Sequence, residues 1–428
     1  MRLENGNRVC IIGGGPSGSF AAMHLLAQAR KARLELEVSI FEPRQPGRSG
    51  GIAVCKGCAG IISANAVSAM ASLDIRIPPN VIQSEIDQYL IHTCGIIQTI
   101  HQPQPERHIL SVYRGTGPAR HKGAPIEGLD AFLLAEAVAR GARHIPERVQ
   151  NLDWDKGPII RTTSQTVRAD LAVLAIGVNS HLHIAPEFAY TPPPTEGMAQ
   201  DEVRKPSSWP AQGVGTFFGE PDWLVFGAMV PKGDYLNLSL LGRNMGVNPL
   251  AAFYQAQEQQ LRGYFPDLPQ GYCGCAPRVA VQAARHFFGD RWVAVGEAAV
   301  SRLYKDGIFS ACQTAGWAMQ SAIERGVSAA DWKTGCEPQY HRIAADNRYG
   351  EILFDISPHI LKNERLAHAC LNCLRKEEQQ PPEKKNYTRL FWGMFTGDET
   401  YRELFRLFLA PGGLAELGRE IIRPDNPD

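Results

Sequence analysis

The chain has 428 residues, enough for two or three domains, and its 44 Lys+Arg are balanced by 44 Asp+Glu for a formal net charge of zero. No field of one sign exists to attract nucleic acid or an anionic membrane, and 44% hydrophobic residues exclude a disordered chain. No apolar run has the length of a bilayer span, and polar residues lead straight into the first strand, so neither a transmembrane segment nor a signal peptide is expected and cytoplasmic residence follows.

Residues 8–12 read as a short buried strand that runs into Gly13-Gly14-Gly15-Pro16-Ser17-Gly18. Residues 19–33 carry apolar side chains at helical spacing, and 36–41 form a second strand closed by Glu42. This βαβ unit opens a parallel sheet with helices on it. Between 80 and 112 the pattern changes to short alternating segments, 89–92 and 96–100, split by Gly95, which predicts an inserted antiparallel hairpin. Residues 129–140 are helical with Gly141 as the stop, and 171–176 form an apolar strand ending at Gly177. From 180 to 277, strand-like pieces at 214–218, 223–229 and 235–241 lie among Pro and Gly, which fits an antiparallel sheet. Residues 292–295 return as a buried strand and 307–325 as a long helix. The rest, 326–428, reads as mostly helical, with breaks expected at Pro358, across 376–385 with Pro381-Pro382, and at Pro411-Gly412-Gly413.

The ten cysteines are scattered through a long chain without an export signal, so free thiols are expected. The CxxC pairs Cys55/Cys58 and Cys370/Cys373 lack the flanking pattern of a zinc ribbon, and no metal site is expected. Cys370 and Cys373 fit the packing stripe of a helix; Cys55 and Cys58 read either as a dithiol or as small residues in a tight turn. His181-x-His183 reads as a solvated loop, and His286 as a weak proton-carrier candidate.

The chemistry begins at Gly13-x-Gly15-x-x-Gly18. Glycines between strand and helix permit a tight turn and close approach to a pyrophosphate, and the N-terminus of the helix that follows supplies N–H donors and a favourable dipole. Glu42, ending the second strand, stands where a carboxylate accepts ribose hydroxyls, with Arg44 beside it. A dinucleotide is the expected ligand.

Three further segments carry a resemblance. They are Val112-Tyr113-Arg114 followed by Asp130-x-Phe132-Leu133-Leu134, the run 169–180, and Val295-Gly296-Glu297-Ala298-Ala299 ahead of Gly307. In this order they resemble the flavoproteins of the p-hydroxybenzoate hydroxylase and geranylgeranyl reductase superfamily. The resemblance implies an α/β fold: a Rossmann-like FAD-binding domain of glutathione-reductase type with a parallel sheet, an inserted antiparallel β-sheet substrate domain, and a C-terminal helical extension. It implies an FAD-binding domain at 1–82, 106–180 and 286–329, a substrate domain at 83–105 and 181–285, and a helical region at 330–428. It also implies FAD as cofactor, held by Gly13, Gly15, Pro16, Ser17, Gly18, Glu42, Arg44, Arg114, Gly296, Glu297, Gly307 and Ile308. The start of the helix at Gly307 would face the flavin ring, where its dipole favours negative charge on the reduced form.

The departures from that family narrow the reading. Glu297 stands where Asp is usual, and Ile176-Gly177 stands where aromatic hydroxylases have Asp-Gly, a position that helps place nicotinamide. No second GxGxxG unit appears, so the electron donor is left between reduced flavin and NAD(P)H. Tyr304 replaces a Pro and Phe309 a Gly. The segment 51–62 is similar to the Cys-Gly segment of geranylgeranyl reductases, with Cys58 beside the flavin or substrate, while the Trp-x-Trp-x-Ile-Pro signature of halogenases is missing. Active-site candidates are Tyr304, Lys305, Asp306, Phe309 and Cys58, with Trp223 and Phe226 as walls of a substrate pocket.

Three functions are compatible with these residues: an FAD-dependent monooxygenase acting on an electron-rich aromatic group, a geranylgeranyl-reductase-like alkene reductase, and a flavin electron-transfer or protein-modifying partner. The prolines that break up 180–277 favour a polar or bulky substrate over a long apolar one. Some relatives in the superfamily hydroxylate a Trp side chain of a partner polypeptide in tryptophylquinone biogenesis. The substrate implied is thus an organic molecule or a polypeptide, and monooxygenation is the expected activity.

Overall fold

The computed structural model describes residues 1–44, 60–118, 126–269, 271 and 274–422. Its central sheet runs, from edge to edge, Phe288–Gly289, Trp292–Ala294, Leu171–Leu174, Arg8–Ile12, Glu37–Phe41 and Arg143–Ile145. All neighbours are parallel except the first pair, a hairpin. Leu171–Leu174 and the last four residues of Arg8–Ile12 are buried on both faces, which explains why these strands are continuously apolar rather than alternating. The helix Pro16–Ala32 packs against the helices Leu129–Ala139 and Gly307–Glu324.

The core is extended by a small sheet that hydrophobic patterning does not announce. It consists of Asn151–Trp154, Pro158–Arg161 and Thr166–Arg168 joined by His183–Ile184. Leu152 and Ile160 bury there, and Trp154, Phe188 and Trp292 meet edge to face with centroids 5.5 and 5.4 Å apart. His183 therefore belongs to a strand rather than a solvated loop, although its side chain is exposed.

The second large sheet has the order Arg278–Ala280, Thr195–Arg204, Tyr235–Gly242, Leu224–Lys232, Gly213–Phe217, Gln88–Thr93 and Ile96–His101. The expected hairpin is its outer edge. The sheet is antiparallel apart from one junction, Gly213–Phe217 against Gln88–Thr93, which is parallel and ties the hairpin to the rest. Side chains alternate between its two faces. One face buries Leu236, Leu238, Leu240 and Met229 with the helix Pro249–Ala256, and the other carries Phe226, Ala228, Val230 and Leu241. The C-terminal helices pack over this second face, placing Phe354 against Phe226 and Trp392 and Phe395 against Tyr89.

Two expected breaks fall elsewhere. Pro358 lies inside the helix Glu337–Lys362, in its last turns. Pro411 opens the helix Pro411–Ile422, where a missing N–H is one of the donors left unbonded in any case. Cys370 and Cys373 are buried free thiols in the helix Glu364–Glu377. Among the described residues no helix is long and apolar enough to cross a membrane.

Candidate functional site

The turn after the first strand is built by sterics. Gly13 has φ +106°, and a Cβ there would stand 2.4 Å from the Ala175 carbonyl oxygen. A Cβ on Gly18 would stand 1.9 Å from the Gly13 oxygen, so the helix can start this close to the strand only without side chains. Pro16 occupies the first helical turn, and Ser17 Oγ lies against Gly296, which brings the distant 3₁₀ turn Gly296–Ala298 to the same point.

Beside the turn, four charged groups alternate in sign. Glu42 accepts from the Gly14 N–H at 2.9 Å and from Arg44 Nε and Nη2 at 2.8 and 2.9 Å. Arg44 Nη1 reaches Asp130 Oδ2 at 3.2 Å, and Arg114 holds both oxygens of Asp130 at 2.9 Å. Burial would raise the Glu42 carboxyl, but the hydrogen bonds and charge of Arg44 overcome it and leave its pKa below the usual carboxylate value. The Arg44 guanidinium is correspondingly held in its charged form, mainly by Glu42. Both guanidiniums border Gly15 at the helix start: a Cβ there would lie 3.8 Å from Arg114 Nη2 and 3.9 Å from Arg44 Nη2. Two cations beside free N–H groups at a helix N-terminus make a receptor for a diphosphate.

Glu297 lies at the other end of this cradle. Burial raises its carboxyl, and Arg114 only partly offsets that. A Cβ on Gly307 would come 3.8 Å from Glu297 Oε1, so the acid stands at the start of the helix Gly307–Glu324, followed by buried Ile308.

The loop before that helix holds Tyr304, Lys305 and Asp306. Tyr304 and Asp306 both have left-handed backbone, φ +59° and +57°. Tyr304 donates to Glu196 Oε2 at 2.6 Å, and its ring meets Phe354 at 5.0 Å. Arg243 bridges Glu196 and Asp355 at 3.5 and 2.7 Å. The Lys305 ammonium stands 3.8 Å from the centroid of Phe226, with its pKa lowered to about 7 by burial and by the charge of Arg302. Asp306 accepts from Ser63 Oγ at 2.7 Å, and burial raises its pKa to about 7. Its Oδ2 and the Nε and Nη2 of Arg302 are buried without a hydrogen-bond partner among the described residues. Arg302 lies 3.8 Å over the ring of Tyr401, and its Nη1 is 3.8 Å from Asp346 Oδ2.

Not every expected neighbour arrives here. Phe309 packs into the core of the parallel sheet, apart from Tyr304, because the helix turns it to the opposite side. Trp223 is likewise separated from Phe226. Trp223 lies just before the strand Leu224–Lys232 and packs on Gly242 and Met245 beneath the other sheet face. Cys58, with Cys55 and Lys56, lies outside the described residues, and His286 is exposed at the surface.

The residues that sequence reasoning missed come from far along the chain. They are Ser63, Glu196, Arg243, Asp355 and Tyr401, together with Asp130 as the link between the two arginines. A polar strip was missed as well: on the Phe226 face, Gln200 donates to Ser239 at 3.0 Å and Ser239 to Asn237 at 2.8 Å, all buried. Alternation within 195–204 and 235–242 could have found it, since polar residues recur there at every second position.

Comparison with known proteins agrees with this layout. A family model described as FAD-NAD(P)-binding matches residues 10–79. No curated protein sequence matches the chain. Among solved structures, a geranylgeranyl bacteriochlorophyll reductase-like protein from Thermoplasma acidophilum is 17% identical with a TM-score of 0.64, over 95% of this chain and 100% of that one. The halogenase PltM in complex with phloroglucinol and FAD is 11% identical with a TM-score of 0.61, over 97% and 96%. A flavoprotein/dehydrogenase from Cytophaga hutchinsonii is 12% identical with a TM-score of 0.60, over 94% and 98%. The chain thus has the fold of these flavoproteins, with an FAD/NAD(P)-binding region at its N-terminal end.

Proposed function

We propose that the protein is an FAD-dependent monooxygenase that hydroxylates an electron-rich aromatic group on an organic molecule or on a Trp side chain of a partner polypeptide. The residues present fit the cofactor: the Gly13–Gly18 turn and helix N-terminus suit a diphosphate, and Arg44 and Arg114 add charge. Glu42 offers a ribose acceptor, and Glu297, Gly307 and Ile308 border the flavin end. When bound, FAD supplies redox and oxygen chemistry that no side chain of the chain can perform. Electrons come from an external donor, reduced flavin or NAD(P)H. On this reading 1–82, 106–180 and 286–329 bind FAD, 83–105 and 181–285 bind substrate, and 330–428 caps the site.

The observation that carries the reading is the composition of the sheet face that carries Phe226, with the loop 304–306 beside it. Lys305 on Phe226, Tyr304 on Glu196 and the Gln200–Ser239–Asn237 strip give it cationic, hydroxyl and amide groups beside aromatic rings. A polar aromatic ring matches both halves of that face, whereas a long isoprenoid would match only the apolar half. Ala228, Val230 and Val214 on the same face support a second reading, an alkene reductase.

The test supplies the FAD-loaded protein with reductant, heavy-isotope oxygen and panels of aromatic compounds, Trp-containing peptides and isoprenoids. Mass spectrometry should find one labelled oxygen added to an aromatic. A gain of two hydrogens on an isoprenoid without label would overturn the monooxygenase in favour of the reductase.

A further inference from the structure

Lys305 is placed with unusual care for a lysine. Its two neighbours, Tyr304 and Asp306, both adopt left-handed backbone although neither is glycine, a conformation that side chains disfavour. Strain of this kind persists where the surroundings hold it. Here Tyr304 is fixed by Glu196 and Asp306 by Ser63 and the helix it opens. The effect of the paired turns is to aim one side chain away from both neighbours and onto the face of Phe226, 3.8 Å from its centroid.

The amine has no ion pair or hydrogen bond among the described residues. Acids around this loop and on the helices over it have other partners. Glu196, on the sheet, holds Tyr304 and Arg243. On the long C-terminal helix, Asp355 holds Arg243, while Asp346 takes the N–H groups of Tyr401 and Arg402. Asp398, beyond the next helices, holds Arg107 and Trp392. Asp306 itself faces Ser63. The nearest like charge, Arg302, repels the ammonium, and burial adds to that, so near pH 7 the amine is divided between its two forms.

We propose that Lys305 is a catalytic residue of this site, whose ε-amine takes the proton of a phenolic hydroxyl on the aromatic substrate and pairs with the oxyanion so formed. In this step the substrate O–H bond breaks with its electron pair left on oxygen, and an N–H bond forms at Nζ; nothing is oxidised or reduced. The new ammonium rests on the Phe226 face, which favours a cation, and the ring of the substrate becomes richer in electrons. The substrate class narrows from electron-rich aromatics to those carrying an ionisable hydroxyl. The inference rests on the aromatic-substrate reading above.

The test uses the FAD-loaded protein and para-cyanophenol carrying carbon-13 at the hydroxyl-bearing carbon, with its methyl ether as control. NMR reads whether the bound ring is phenol or phenolate. We expect phenolate below the pH of its ionisation in solution, and affinity that falls again at alkaline pH, once amine and phenol have both lost their protons. Lys305→Met should bind the phenol about 10-fold more weakly and as the neutral form, with the ether unaffected. Lys305→Arg, permanently charged, should retain phenolate binding but lose the alkaline fall. Bound flavin and thermal melting confirm that each variant is folded. Binding of the neutral phenol by the wild type, equal to the ether and unchanged in Lys305→Met, would overturn the proposal and leave the aromatic reading standing. If neither ring binds the wild type, the aromatic reading falls and the proposal falls with it.

Discussion

Two clusters of charge in this molecule are built in opposite ways. Glu42, Arg44, Asp130 and Arg114 come from three separate regions, yet each carboxylate meets a guanidinium at 2.8–3.2 Å. Arg302, Lys305 and Asp306 lie within five residues of one another, and no ion pair joins any two of them. The first cluster fixes its charges and Glu42 stays ionised. The second leaves donors and an acceptor without partners, and both Lys305 and Asp306 move towards neutrality near pH 7. Paired charges make a rigid receptor for a charged ligand; unpaired ones make groups that exchange protons at working pH.

The sharpest way to break this contrast is to remove one partner from the paired cluster. Asp130→Asn leaves two guanidiniums facing each other over Gly15 with no carboxylate between them. Destabilisation of about 3 kcal/mol is expected, the lower end for a broken buried pair, because both arginines are partly exposed. FAD affinity should fall in parallel. Urea unfolding of the apoprotein and flavin titration measure the two effects; a variant as stable as wild type would show that the ladder holds nothing in place.

The same removal in the unpaired cluster should act in the other direction. Lys305→Met replaces a buried, repelled cation by an apolar chain of similar length, and a gain of about 2 kcal/mol at pH 6 is expected. The unfolded chain holds this proton up to about pH 10.5, whereas the folded chain releases it near pH 7. Below pH 7 both states are charged and the native lysine carries its full burial cost. Between the two values the unfolded chain binds more protons, so wild-type stability recovers as pH rises and the gain of the variant shrinks. Unfolding curves at pH 6 and pH 9.5 measure it, and a constant difference would place the lysine in water.

How much of this was legible in the sequence follows from the same contrast. The Gly13–Gly18 turn is a local steric demand, and close contacts at Gly13 and Gly18 force residue choices only five positions apart. Glu42 was readable because a strand end fixes its place relative to that turn. That the first sheet is parallel followed from its βαβ opening, with the apolar run at 171–174 buried on both faces. Pairings between distant positions left no such trace. Asp130 meets Arg44 from 86 residues away, and Glu196 meets Tyr304 across 108, with no periodicity to announce either. Lys305 and Asp306 were singled out by position, but their unpaired state depends on what every neighbouring acid does elsewhere. Trp223 and Phe226 were joined as one wall by a family resemblance, but Trp223 precedes the strand that starts at Leu224 and packs with the residues of the other sheet face. Pro358 and Pro411 were read as breaks because proline was judged without its place in a helix, near the end in one case and at the start in the other.

The smallest effect is the finest test of the unpaired cluster. Asp306→Asn keeps an oxygen for Ser63 and removes the ability to ionise. In the folded chain the Asp306 carboxyl holds its proton up to about pH 7, because burial, with Asp398 nearby, outweighs Ser63 and Arg302; unfolded, it releases the proton near pH 3.8. The folded state therefore binds more protons between these values, and wild-type stability falls as pH rises through them. Asparagine also tolerates the left-handed backbone at φ +57° well, a benefit that does not depend on pH. The two contributions separate on titration. At pH 4 little beyond the backbone term remains, while at pH 8 the variant should be more stable than that, by an amount set by the shift from 3.8 to about 7. Unfolding curves at the two pH values give the difference directly. An equal gain at both would mean that Asp306 ionises freely and that only the carboxylates of the cofactor side are held by their surroundings.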